Sequence, residues 1–107
     1  MLVPAAIANV YQAIADPTRR QLLDLLGEGE QPVNDLARPF AMSRPAVSQH
    51  LRVLREVGLV AERRIGRQRH YRLCAEPLRQ VYDWVAHYDR FWREHLGKLG
   101  EYLKENP

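Results

Sequence analysis

Ser43-Arg44-Pro45-Ala46-Val47-Ser48-Gln49-His50-Leu51-Arg52-Val53-Leu54-Arg55-Glu56-Val57-Gly58-Leu59-Val60 is the stretch that decides the fold. Its punctuation is that of one helix. A serine side chain can accept the unpaired N–H groups of a first turn, and proline costs little there because its missing N–H would be unpaired anyway. The helix runs to Val57 and stops at Gly58, since glycine tolerates the left-handed turn that closes a helix. Val47, Leu51, Leu54 and Val57 recur at helical spacing and form an inward face. Arg44, Pro45, Ser48, Gln49 and Arg52 lie on the other face.

Upstream, Pro39-Phe40-Ala41-Met42 reads as a turn, and Pro32 to Ala37 as a short helix with Val33, Leu36 and Ala37 inward. Asp16-Pro17 is a start signal, an N-cap followed by proline at the first helical position. It opens a helix through Leu26 that ends at Gly27-Glu28-Gly29. Pro4 to Ala15 reads as a first helix, with Ile7, Val10, Tyr11 and Ile14 at helical spacing. Downstream, Leu59–Ile65 and Gln68–Cys74 read as two strands joined at Gly66-Arg67, a short hairpin. Pro77 opens a last helix to about Lys104, roughly 42 Å long at 1.5 Å per residue. The fold class is mainly α with a small β-hairpin, in the order α-α-α-α-β-β-α. One domain spans residues 1–107, with a helix-turn-helix over about 32–58, a wing over about 59–74, and dimerisation helices over about 4–15 and 77–104.

The charge is modest in sum, +3, but concentrated in place. Residues 1–42 are net −2, residues 43–73 net +6 and residues 74–107 net −1. A basic block between neutral or acidic halves is the footprint of a surface that meets phosphates. Its side chains also suit base edges. Arg44 can donate two hydrogen bonds to guanine, Gln49 can pair both ways with adenine, and Ser48 can donate or accept. Ser43, Arg44, Pro45, Ser48, Gln49 and Arg52 are therefore the candidate recognition set. Arg63, Arg64, Arg67, Gln68 and Arg69 on the hairpin are candidates for phosphates or an adjacent minor groove. His50, beside the apolar face, is read as a packed, hydrogen-bonded histidine. Double-stranded DNA is the expected partner; a winged helix that binds another protein is the competing reading, which a +6 segment disfavours.

The last helix is strongly aromatic. Leu78, Val81, Val85, Tyr88, Trp92, His95, Leu99 and Tyr102 follow a 3–4 spacing, and Trp84, Phe91, Leu96 and Leu103 widen the stripe. That is more apolar surface than a chain this small can bury against itself. A symmetry mate is the simplest cover, so Trp84, Tyr88, Phe91, Trp92, Leu96, Leu99 and Leu103 are assigned to a homodimer interface. No glycine-rich phosphate loop, paired carboxylates or Ser-His-Asp logic points to an enzyme. No apolar stretch is long enough for a bilayer, and Met1–Ala6 lacks the basic start of a signal peptide. Cys74, without an internal partner, suits a reducing cytoplasm.

Ala15-Asp16-Pro17-Thr18-Arg19-Arg20, Leu36-Ala37, Ser43 through Leu54, Gly58-Leu59-Val60, Gly66-Arg67 and Tyr71 together closely resemble the ArsR/SmtB family of winged helix-turn-helix repressors. The resemblance implies a dimer that represses transcription at a two-fold symmetric operator, with Arg44, Pro45, Ser48, Gln49 and Arg52 on the recognition face and the hairpin as wing. Members of that family often sense metals. Their cysteine-rich motif before the recognition helix has no counterpart in Pro32–Arg38, which holds neither cysteine nor histidine. On the last helix, Asp83, His87, Asp89, Glu94 and His95 do not match the family's ligand spacing. Asp83, His87 and His95 are the only metal candidates retained, as a non-standard site that would make the chain a metal-sensing repressor. The expectation is no metal and no cofactor, with the effector left open.

Overall fold

The computed structural model describes residues 9–105. Helix α1 covers Val10–Ala13, where the Asn9 side chain accepts the Gln12 N–H at 2.9 Å. The rest of the expected first helix, including Ile7, lies outside the described residues. Helix α2 covers Pro17–Leu26 and starts as its sequence demands, with Pro17 in the first turn and the Asp16 carboxylate accepting the Arg19 N–H at 3.0 Å. The two arginines that follow tie α2 back onto α1. Arg19 donates through Nε to the Ala13 carbonyl at 2.6 Å and through Nη2 to the Gln12 carbonyl at 3.2 Å. Arg20 donates to the Ile14 carbonyl at 2.7 Å. Carbonyls that end a helix lack partners within it, so the bonds to Ala13 and Ile14 satisfy groups that α1 leaves open, while the Gln12 carbonyl also accepts the Ala15 N–H at 3.2 Å.

Burial alone would raise the Asp16 carboxyl, but the Arg19 N–H together with the charges of His50 and Arg19 outweighs it and holds the group below the usual carboxylate range. A carboxylate depressed in the folded state stabilises above its unfolded pKa, and that contribution is lost as pH falls through the folded value. Asp16→Ala is expected to cost about 0.5–2 kcal/mol at neutral pH, the usual worth of an N-cap. The gap between mutant and wild type in urea melts should narrow below about pH 4, near the ordinary aspartate pKa. A gap that stays constant from pH 7 to pH 3 would exclude Asp16 as the source.

Strand β1 is Gln31–Pro32, helix α3 is Val33–Ala37 and helix α4 is Arg44–Glu56. The expected helix over Pro32–Ala37 thus loses its first residue to a strand. Pro32 is extended, with ψ at 154°, and Gln31 and Pro32 pair with Tyr71 and His70. Lacking an N–H, Pro32 is tolerated only because β1 is the edge of its sheet. In α4 the Ser43 hydroxyl accepts the Ala46 N–H at 3.3 Å, and Val47, Leu51 and Leu54 are fully buried. The helix closes by reciprocal bonds, Leu59 N–H to the Leu54 carbonyl at 2.9 Å and Gly58 N–H to the Arg55 carbonyl at 3.0 Å. That closure needs a left-handed residue, and Gly58 supplies it at φ +80°. Leu22, Leu36 and Leu59 are the other large side chains fully buried in the core, each contributing about 1.5–3 kcal/mol by burial.

Strands β2, Val60–Ile65, and β3, Gln68–Leu73, form the expected hairpin, turning at Gly66 with φ +63°. The antiparallel sheet has the order β1-β3-β2.

The single long last helix is instead two, α5 over Leu78–Ala86 and α6 over Asp89–Glu105. The break falls at His87 and Tyr88. The His87 imidazole Nδ1 lies 2.9 Å from the Asp83 carbonyl, the group that the His87 backbone N–H would bond in a regular helix. That N–H turns to the Trp84 carbonyl at 3.1 Å, and Tyr88 N–H to that of Val85 at 2.9 Å, a tighter three-residue turn. Helix α5 docks on α1, where the Tyr11 hydroxyl donates to the Gln80 carbonyl at 3.2 Å and its ring meets Trp84 edge-on. Helix α6 leaves the body. The radius of gyration is 18.3 Å and the long axis 61 Å, against about 13 Å for a compact chain of this length.

Candidate nucleic-acid interface

Because Val47, Leu51 and Leu54 anchor one side of α4, its opposite side is fixed outward. Arg44, Pro45, Gln49 and Arg52 are exposed there and Ser48 is half-buried, while exposed Ser43 spends its hydroxyl on the cap. Among the described residues the Arg44 and Gln49 side chains have no hydrogen bond or ion pair. Arg52 pairs with Glu56 one turn on at 3.4 Å, both exposed, a contact that a phosphate could replace at little cost.

His50 sits between α4 and α2 as expected of a packed histidine. Its Nδ1 is 3.3 Å from Nη1 of Arg19 and 3.9 Å from the Asp16 carboxylate.

The hairpin register sorts the wing residues into two faces. Glu62 pairs with Tyr71 and Arg64 with Arg69, so these four share one face; Arg63 pairs with His70 and Ile65 with Gln68 on the other. The first face turns toward α4. Pro45, Ser48, Gln49 and Arg52 of the helix and Arg69, Tyr71 and Glu62 of the sheet line one groove of about 260 Å³, with Arg55. Arg63 is turned away from it. Its guanidinium binds Glu30 through Nε at 3.1 Å and Nη2 at 2.8 Å. That hydrogen bond lowers the Glu30 carboxyl and raises Arg63. Arg67 occupies the hairpin tip, exposed, and Gln68 follows it.

Three residues of this groove were not among the sequence candidates. Arg55 stands one turn beyond Arg52 and two beyond Ser48, so helical spacing alone places it on the same face of α4. Glu62 was visible as one of only two acids in the basic segment. Tyr71 entered the sequence reading only through the family resemblance, and its place in the groove depends on the sheet.

At the other end of the molecule, Trp84, Tyr88, Phe91, Trp92, Leu96, Leu99 and Leu103 are each about half exposed or more. Among the metal candidates, Asp83 pairs with Arg79 at 3.4 Å, and His87 and His95 turn their Nδ1 atoms to backbone carbonyls. Among the described residues no group of three His, Cys, Asp or Glu side chains converges, and no helix is long and apolar enough to cross a membrane.

A family model described as bacterial regulatory protein, arsR family, matches residues 16–62, from the α2 cap to the groove glutamate. The transcriptional repressor SdpR of Bacillus subtilis is 36% identical over 80 residues, 75% of this chain and 89% of SdpR. The HTH-type transcriptional regulator Rv2034 of Mycobacterium tuberculosis is 43% identical over 88 residues, 82% of this chain and 79% of that protein. A solution structure of a homodimeric winged helix-turn-helix DNA-binding domain from Mycobacterium bovis has a TM-score of 0.62 at 33% identity, covering 84% of this chain and 83% of that one. The chain belongs to the ArsR family of winged helix-turn-helix proteins and is a DNA-binding transcriptional regulator, not an enzyme.

Proposed function

We propose that the chain is a homodimeric repressor that reads a two-fold symmetric operator. Helix α4 enters the major groove, with Arg44, Ser48 and Gln49 at base edges and Ser43, Pro45 and Arg52 close to the backbone. Arg64, Arg67, Gln68 and Arg69 meet phosphates or the neighbouring minor groove, and Arg63 joins them only by releasing Glu30. The observation that carries this reading is the shared groove: the polar face of α4 and one face of the wing open in the same direction. The exposed aromatic face of α5 and α6 holds the second subunit, as homodimery in the Mycobacterium bovis domain would suggest. SdpR, a repressor, is the precedent for the sign of regulation. Work on DNA inside the cell, with Cys74 as a reduced thiol, completes the picture.

The test begins with a duplex selected by the wild-type protein from a random-sequence pool. Two inverted half-sites about one helical turn apart are expected. Binding to this selected duplex and to a scrambled one is then followed against salt. Arg67→Ala with Arg69→Ala should weaken both complexes alike and flatten the salt slope by about one unit for each phosphate that is no longer neutralised. An unchanged slope would remove the wing from the backbone contacts, and selection of asymmetric sites would exclude the two-fold operator.

A further inference from the structure

Glu62 is an acid placed where the rest of the surface is basic. It stands in the groove between α4 and the wing, the strip over which a sugar-phosphate strand passes if α4 lies in the major groove and the hairpin beyond it. A bare carboxylate there would repel DNA. It is not bare. Glu62 Oε1 lies 2.8 Å from Nη1 of Arg55, at the C-terminal end of α4. Its Oε2 accepts the Tyr71 hydroxyl at 2.8 Å, and the Tyr71 ring is buried in the core. One carboxylate thus joins the recognition helix, β2 and β3.

We propose that the Arg55–Glu62–Tyr71 bridge is a strut that sets the angle of the wing against the recognition helix, making Glu62 a positioning residue for sequence recognition. It rests on the reading that helix and wing bind one duplex together. The side chains of the bridge serve the contact without reading a base. Glu62 and Tyr71 sit toward the core, with only Arg55 substantially in solvent. A pair partly withdrawn from water is screened less than the surface pairs elsewhere on α4, such as Arg52 with Glu56. Burial, and after it the Glu62 carboxylate, raises the Tyr71 phenol, so the ring keeps its proton for this bond throughout the neutral range.

The sign of the mutational effect separates a strut from simple charge. Deleting an acid beneath a phosphate strand should, by electrostatics alone, tighten binding to every duplex. A strut predicts that Glu62→Ala holds or raises affinity for the scrambled duplex while lowering the selected-to-scrambled ratio about tenfold, the scale of coupling between residues in one network. Arg55→Ala should lower the same ratio. The Arg55→Ala, Glu62→Ala double variant should lower it no further than Glu62→Ala alone, because the two act as one unit. Tyr71→Phe keeps the buried ring, removes only the hydroxyl and should lower the ratio less. Thermal melts accompany each variant. An unchanged ratio in Glu62→Ala, additive losses in the double variant, or parallel losses on both duplexes with a lowered melting temperature would overturn the strut. A wild type that fails to distinguish the duplexes overturns the docking reading itself, whereas a discriminating wild type beside an unchanged Glu62→Ala ratio overturns the strut alone.

Discussion

Trp92→Glu is expected to give a folded monomer whose binding to the selected duplex falls to the level of scrambled DNA. The expectation rests on where Trp92 is. In the single chain it is 52% exposed, its ring edge-on to Phe91 at 5.5 Å, and it shares an apolar surface groove with Trp84, Val85 and Tyr88. The buried core ends at Tyr71, far back in the sequence and on other elements. A glutamate at position 92 therefore leaves the protomer's core intact and acts on whatever covers α6. If a second subunit covers it, each large side chain withdrawn from water contributes about 1.5–3 kcal/mol, and two-fold symmetry counts each twice. An unpaired charge buried in that contact costs several kcal/mol, again in duplicate. The consequence for DNA follows from geometry. Two recognition helices held rigidly address two half-sites, and the second contact is made at high effective concentration, worth about 10²–10⁴ in avidity. A lone helix with its wing keeps only the short-site affinity. Sedimentation shows the mass, circular dichroism shows the fold, and a shift assay shows the binding. A wild type that sediments as a monomer at micromolar concentration would overturn the prediction, as would a monomeric mutant with full affinity.

What was legible in the sequence was what local chemistry decides. Ser43 and Gly58 bracket α4 because a side-chain acceptor and a left-handed turn are needed at those two ends and nowhere between. Val47, Leu51 and Leu54 orient it because only that spacing makes one face. Asp16-Pro17 opens α2 for the same local reason. The edge strand Gln31–Pro32 was not legible, since two residues have no periodicity and their strand exists only through partners at Tyr71 and His70. The bend at His87 was hidden for a different reason. The apolar stripe runs through it at unbroken spacing, and no glycine or proline marks it. The wing was half legible. Its charge was plain, and period-two alternation already separates Arg63 from Arg64 and Arg69. What alternation could not supply was Glu30, 33 residues away in sequence, as the partner that holds Arg63 on the far face. Arg55 and Glu62 lay in view, but their pairing depends on how the hairpin folds back over α4.

Replacing Arg44 and Gln49 with alanine should produce the largest loss of sequence discrimination available on this surface. Both side chains are exposed on α4 and are not engaged elsewhere among the described residues, so no intramolecular bond must break before they meet a base. Their positions suit base reading. Arg44 opens the helix, Gln49 follows little more than one turn later, and the helix N-terminal end is the part that reaches base edges in this class of fold. A bidentate pair to the correct base is worth about 1–3 kcal/mol of discrimination per side chain. The double variant should then lose about that much twice on the selected duplex. On scrambled DNA it should lose only the phosphate attraction of one arginine, a small change within the salt-dependent background. Stability should barely move, because both side chains are exposed and the N-cap bond that Ala46 N–H donates to the Ser43 hydroxyl remains. Repeating the selection with each single variant assigns the positions: Gln49→Ala should relax one base pair in each half-site, and Arg44→Ala another. Equal losses on selected and scrambled DNA would show that these residues bind the backbone and that bases are read from elsewhere on the surface.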